Sequence, residues 1–288
     1  MSGRLAGVAL HLSALALFVV MDTLVKRLTA RYAVPQLMWA RFLFSLLGAA
    51  LVIRITTGSL PWRSRAPGLQ AARSALLAFS NLLFSSALAR IPLADATAVG
   101  FASPVLTVAL AAVWLNERVG WRRWAGVGIG LLGVTIALQP PALTGGAPPH
   151  WATVLPLGTA ALFAVYQILT RKLAAIDDPR TTILHTGFAA TVGTSLVQPL
   201  FWTAPSAGDW LLLASLGALG GAGHGLLVLA FARAPASLLA PLTYTQLVWA
   251  TLAGVLVFGD WPDAGTLAGA AVIALGGVLV ALPDRSRR

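Results

Sequence analysis

Ala87-Leu88-Ala89-Arg90-Ile91-Pro92 returns 143 positions later as Ala230-Phe231-Ala232-Arg233-Ala234-Pro235. The offset holds without a gap from 87–140 onto 230–283. Glu117 meets Asp260, Gly126 meets Gly269, Leu132-Gly133 meets Leu275-Gly276, and Pro140 meets Pro283. Identity is sparse, but it falls on the residues that start, stop or tighten helices. The spacing therefore predicts a chain built twice on one plan, 1–143 and 144–288, joined at its one Gly/Pro-rich stretch, 140–150.

What is repeated is a set of apolar runs. They lie near 5–26, 35–56, 68–89, 92–115, 121–139, 151–173, 181–203, 208–232, 235–258 and 264–282. Most are close to the roughly 20 residues that a bilayer-spanning helix needs. The composition agrees, with 58% hydrophobic and 10% charged residues against roughly 25% charged in soluble domains. The predicted fold is all-α: a polytopic membrane protein with ten transmembrane helices. Five per copy is an odd number, so the second copy enters the membrane upside down. Inverted repeats suit carriers that expose one central site alternately to each side.

The net charge of +11 would suggest nucleic acid in a soluble chain. Here the basic residues sit in the breaks and set topology, and no basic stripe with interleaved aromatics exists. With the N-terminus inside, 15 Lys and Arg fall on the cytoplasmic side, among them Arg63, Arg65, Arg73, Arg122, Arg123, Arg171 and Lys172. Four fall outside: Lys26, Arg27, Arg31 and Arg90. Both termini are thus expected in the cytoplasm. Trp62, Trp114, Trp121, Trp151, Trp202 and Trp261 cluster at helix ends, as an interfacial belt does. The first apolar run mimics a signal peptide but is too long for one, and reads as an uncleaved helix. With no cysteine, thiolate metal sites and Cys nucleophiles are excluded. There is also no phosphate-binding GxxxxGK[ST] loop, no HExxH and no GxSxG, and no cofactor is expected.

Pro35 with Ala40-Arg41-Phe42, the run Ala96 to Pro104 followed by Leu115-Asn116-Glu117-Arg118, and Gly126 with Gly133 form an ordered set. The second half repeats it through Ala230 to Pro235, Gly259-Asp260, Gly269 and Gly276. In this the chain resembles the drug/metabolite transporter superfamily and its ten-helix EamA-type branch, over nearly its whole length. It looks most like bacterial amino-acid exporters, including those for aromatic amino acids and methyl viologen. The resemblance implies an inner-membrane exporter of small amphipathic metabolites, working as a monomer among lipids, and no enzyme. Leu247 stands opposite Pro104, so the break in the fourth helix is not expected to be mirrored.

Polar groups inside a membrane are costly and point to function. Asp22 and Lys26 share a face of the first helix. Arg41 lies roughly 9 Å into the second. The three charges read as an outer ion-pair lock or as ligands for a zwitterion, with snorkelling as the plain alternative for Lys26. Midplane substrate candidates are Phe79, Asn81, Phe101, Ser103, Thr107, Phe163, Tyr166, Gln167, His224, Tyr244 and Gln246. Lipid contact competes for each Phe, and interhelical hydrogen bonding for the amides and Tyr244. His224, beside the Gly217, Gly221 and Gly225 stripe, reads equally as packing or chemistry. Pro104 removes a backbone hydrogen bond in mid-helix, and the resemblance makes it a hinge candidate. All nine acids sit near a surface or in a loop, so transport is expected to be facilitated diffusion rather than proton exchange.

Overall fold

The computed structural model describes residues 2–114, 121–138, 150–173, 176–233, 242–243 and 245–281. Among the described residues there are helices and turns and no strand. In chain order the helices are α1 (Ser2–Leu28), α2 (Val34–Thr57), α3 (Pro67–Leu88), α4 (Leu93–Gly100), α5 (Ala102–Trp114), α6 (Trp121–Leu138), α7 (Val154–Leu173), α8 (Pro179–Val197), α9 (Ala207–Arg233), α10 (Thr245–Ala253) and α11 (Ala264–Ala281). A single π turn, Gly254–Phe258, extends α10. The boundary of the two expected domains, in the 140–150 linker, lies outside the described residues, as does Leu115-Asn116-Glu117-Arg118.

Among the described residues, five helices are long and apolar enough to cross a membrane: Leu5–Leu28, Val34–Thr57, Pro67–Leu88, Trp151–Thr170 and Ala207–Leu227. Leu93–Thr107, Trp124–Ala137, Thr245–Phe258 and Ala264–Gly276 are shorter apolar helices. α8 belongs to neither set, because threonine and serine dilute it. Its hydroxyls return to its own backbone: Thr186, Thr194 and Ser195 donate to the carbonyls of Thr182, Ala190 and Thr191.

The fourth apolar run is two helices. A proline at 104 offers no N–H to the carbonyl of Gly100, and α4 ends there, with Phe101 between it and α5. α5 begins at Ala102 and α10 at Thr245, 143 residues on; the residues ahead of α10, 234–241 and 244, lie outside the described residues, and with them the expectation of an unmirrored break. The Thr245 hydroxyl donates to the Leu242 carbonyl (2.7 Å) at the start of α10. α6 and α11 are likewise 143 apart at both ends.

Helix pairing repeats when each helix is exchanged for its counterpart. α1 packs on α9 as α7 packs on α3, α2 on α9 as α8 on α3, and α5 on α7 as α10 on α1. α2 meets α8, and α6 meets α11, as counterparts of one another. The last pair closes through equivalent glycines. A Cβ on Gly133 would stand 2.7 Å from the Gly269 carbonyl, and one on Gly276 would stand 2.7 Å from the Gly126 carbonyl. Within a membrane, small residues let two backbones approach to gain the dispersion contacts that replace hydrophobic driving force. The main buried cluster lies between α1, α2, the α3–α4 junction and α9, around Val25, Leu37, Met38, Leu88, Leu93, Leu213 and Leu216. The six tryptophans of the expected belt are all exposed.

Candidate functional site

Two arginines lie deep in the bundle. Arg41 follows Val34 by two turns of α2, about 10 Å in from the helix end, and is 9% exposed. It donates to Asn81 Oδ1 of α3 (2.7 Å), and Asn81 is itself tied to the Leu77 carbonyl (2.8 Å). Asp22 of α1 is buried within electrostatic reach of Arg41. Gly220 of α9 leaves room for the guanidinium: a Cβ there would lie 3.7 Å from Arg41 Nε.

Arg73, counted above among the cytoplasmic-side cations, is the second of these deep arginines. It lies about 9 Å inside α3 and is 6% exposed. Its three nitrogens each donate to a neutral hydroxyl of the second half: Nε to Thr170 Oγ1 (2.6 Å), Nη1 to Thr186 Oγ1 (2.5 Å) and Nη2 to the Tyr166 hydroxyl (2.7 Å). The guanidinium also stands over the Tyr166 ring, 4.4 Å from its centre. No carboxylate forms an ion pair with it among the described residues. The run 68–89 already enclosed Arg73, and Tyr166 and Thr170 are one helical turn apart on α7. Only the convergence of α3, α7 and α8 makes them a cage.

His224 lies between these centres, within electrostatic reach of both Arg41 and Arg73. Its ring meets Phe18 edge-on at 5.0 Å yet stays solvent-accessible. Next to the cage, Phe163 stacks on Tyr166 (5.2 Å between centroids, 24° between planes). Gln167 donates to Thr107 Oγ1 of α5 (3.3 Å). Ser103 Oγ is buried with no hydrogen-bond partner among the described residues. Gln246 is half-buried in the first turn of α10.

The other candidates fare differently. Phe79 is 61% exposed and does not face the interior cluster. Phe101 packs with Ala102, Val134, Ala160 and Ile273 at the α4–α5 break. Tyr244 lies outside the described residues. Pro104 falls in the first turn of α5, just past that break.

Lys26 does not turn to Asp22 or Arg41. It bonds Asp260 Oδ2 (2.6 Å) and the Ile91 carbonyl (3.3 Å), and stands over the Phe258 ring at 4.6 Å. The local cause is Gly259, whose positive φ of 72° ends the π turn and presents Asp260 to α1. Thr266 donates to Asp95 (3.0 Å), so α1, the α3–α4 loop, α4, α10 and α11 are cross-linked at this end. Asp209 accepts from Tyr32 (2.7 Å) and Arg31 (3.3 Å) at the same end. At the opposite end Asp177 accepts from Ser64, the Arg65 amide and Gln70. The Ser64 hydroxyl, the Arg65 N–H and Gln70 hold this loop carboxyl below its ordinary value.

An interior cluster of two arginines, an aspartate, an amide, hydroxyls and stacked aromatics, sealed from one end by ion pairs, can bind a small polar solute inside a membrane. The comparisons with known proteins agree in kind. The chain is 28% identical over 253 residues to the S-adenosylmethionine uptake transporter of Rickettsia conorii, covering 88% of this chain and 84% of that one. It is 30% identical over 217 residues to a riboflavin transporter of Rhizobium johnstonii, covering 75% and 70%. A solved crystal structure superposes with a TM-score of 0.65 at 21% identity over 96% of both chains, a likeness of fold. The EamA-like transporter family matches residues 5–139 and again 150–282, and the chain belongs to that family of multi-pass membrane transporters.

Proposed function

We propose that the chain is a ten-span carrier of two inverted five-helix repeats, moving an amino acid or a similarly small amphipathic metabolite across the bacterial inner membrane by alternating access. The observation that carries this reading is the interior cluster around Arg41, Arg73 and His224, built from both halves. The exchange symmetry of the helix pairs supports the inverted repeat, and the Lys/Arg count supports cytoplasmic termini. The Lys26–Asp260 end is then the outer gate, closed here. Cargo of the relatives fits the Phe163–Tyr166 stack: S-adenosylmethionine and riboflavin both carry planar heteroaromatic rings. One chain supplies the whole cluster, so a monomer suffices.

Transport is facilitated diffusion in this reading, and the gradient sets its direction, so uptake and export are one activity under different conditions. Counterflow in proteoliposomes, with labelled amino acids, S-adenosylmethionine and riboflavin, should give exchange without an imposed pH gradient. A second reading, proton-coupled transport, draws on the burial of Asp22. Uphill accumulation that needs a pH gradient and disappears in Asp22→Asn would establish that reading instead.

A further inference from the structure

Arg73 has a property that the carrier reading leaves unused. A buried charge persists only when it is paired or fully hydrogen-bonded. Arg73 is bonded to three hydroxyls, which solvate a cation but do not neutralise it. Of its five N–H groups, three are taken, one on each nitrogen. One N–H on each terminal nitrogen is left with no partner among the described residues, and two such donors are what a carboxylate takes as a fork. The charge count points the same way. Among the described residues the deep interior holds two arginines, Arg41 and Arg73, and one carboxylate, Asp22. Asp22 lies within electrostatic reach of Arg41, so the excess positive charge falls at Arg73.

From this charge imbalance and the two open donors we infer that the cargo carries a carboxylate, which docks on Arg73 between α3, α7 and α8 and supplies the missing negative charge. The inference rests on the carrier reading and names its substrate class. The match is local to Arg73: one carboxylate offsets one guanidinium whatever charge the rest of the cargo carries, whereas a phosphate dianion would exceed it. The hydroxyls of Tyr166, Thr170 and Thr186 fix the guanidinium in place before the cargo arrives, so little rotamer entropy remains to be lost on binding. The aromatic pair Phe163–Tyr166 lies beside the docking point and takes the apolar part of the same molecule.

The test uses the full-length protein in proteoliposomes and pairs of labelled solutes that differ at one group. These are S-adenosylmethionine against its decarboxylated form and phenylalanine against phenethylamine, with glycerol 3-phosphate, which has no carboxylate, as the phosphate arm. The wild type should take up the acid of at least one pair roughly tenfold to hundredfold faster than the amine, the range that charge-assisted hydrogen bonds provide. That ratio should fall to near one in Arg73→Gln and to an intermediate value in Arg73→Lys, which keeps the charge but not the fork. A ratio is read rather than a rate, so a general loss of folded protein does not imitate the result. If Arg73→Gln does not fold, the Arg73→Lys ratio decides alone. Equal uptake of acid and amine by the wild type, an unchanged ratio in the variant, or preference for the phosphate would each overturn this inference and leave the carrier reading standing. Uptake of none of these solutes would overturn both.

Discussion

The two halves of this molecule share a backbone plan and differ in chemistry. Helix starts at Ala102 and Thr245, the limits of α6 and α11, and the glycine contacts between those two helices all correspond. The deep charges do not. Asp22, Arg41 and Arg73 come from the first half, while the second contributes Tyr166, Thr170, Thr186 and His224. Charges that the symmetric scaffold does not require are costly to keep in a membrane. The difference therefore separates what builds the protein from what it works with.

The largest effect should come where the halves are alike. Gly133→Leu and Gly276→Leu each drive a side chain into the facing backbone, and both should lose most of the folded, monodisperse protein. Overpacking of this kind costs about 1–3 kcal/mol, more where backbone is the obstacle. Size-exclusion chromatography and thermal unfolding in detergent should report the same loss for both. A large inequality between them would break the symmetry argument.

Where the halves differ, one side should matter more. Arg41→Met should cut transport about tenfold or more, equivalent to ~1.4 kcal/mol, because it strands Asp22 in the interior. Adding Asp22→Leu should recover folded yield without recovering transport, since the leftover charge is removed along with its function. Tyr166→Phe, which leaves Arg73 two of its three acceptors, should cost only a few-fold in the same counterflow assay.

A smaller effect is expected where the halves touch. Lys26 and Asp260 are partly exposed, with side chains 15% and 32% accessible. Their pair is worth about 1 kcal/mol after screening. Asp260→Asn should speed opening of this end by a few-fold, read as faster labelling of a cysteine placed at Asn81. The exchanged pair Lys26→Asp/Asp260→Lys should return the rate toward that of the wild type.

The smallest effect concerns the loop at the other end. Asp177 titrates below its ordinary value of 3.8 in the folded state. A depressed carboxyl adds stability that is present above the unfolded pKa and is lost as pH falls through the folded one. The melting temperature should therefore hold from neutral pH to about 4 and fall below it. Asp177→Asn should melt slightly lower at neutral pH and lose part of that acid dependence. An unchanged acid limb would show that Ser64, Arg65 and Gln70 do not hold the carboxylate in solution.

Most of the helices were legible in the amino-acid sequence, because apolar run length, proline and glycine act locally along a chain. The apolar runs and the break ahead of Pro104 could be read from neighbours in sequence. α8 occupies most of its run but is less apolar than its length implies, because threonine and serine dilute it. Partnerships were decided by tertiary structure alone. Lys26 lies one turn from Asp22, yet it pairs with Asp260, because a left-handed glycine more than 230 residues away delivers that carboxylate to the end of α1. Arg73 looked like a topology marker until α7 and α8 closed their hydroxyls around it. A side chain's charge is written in the sequence, but what neutralises it depends on which helices the fold brings within a few ångströms.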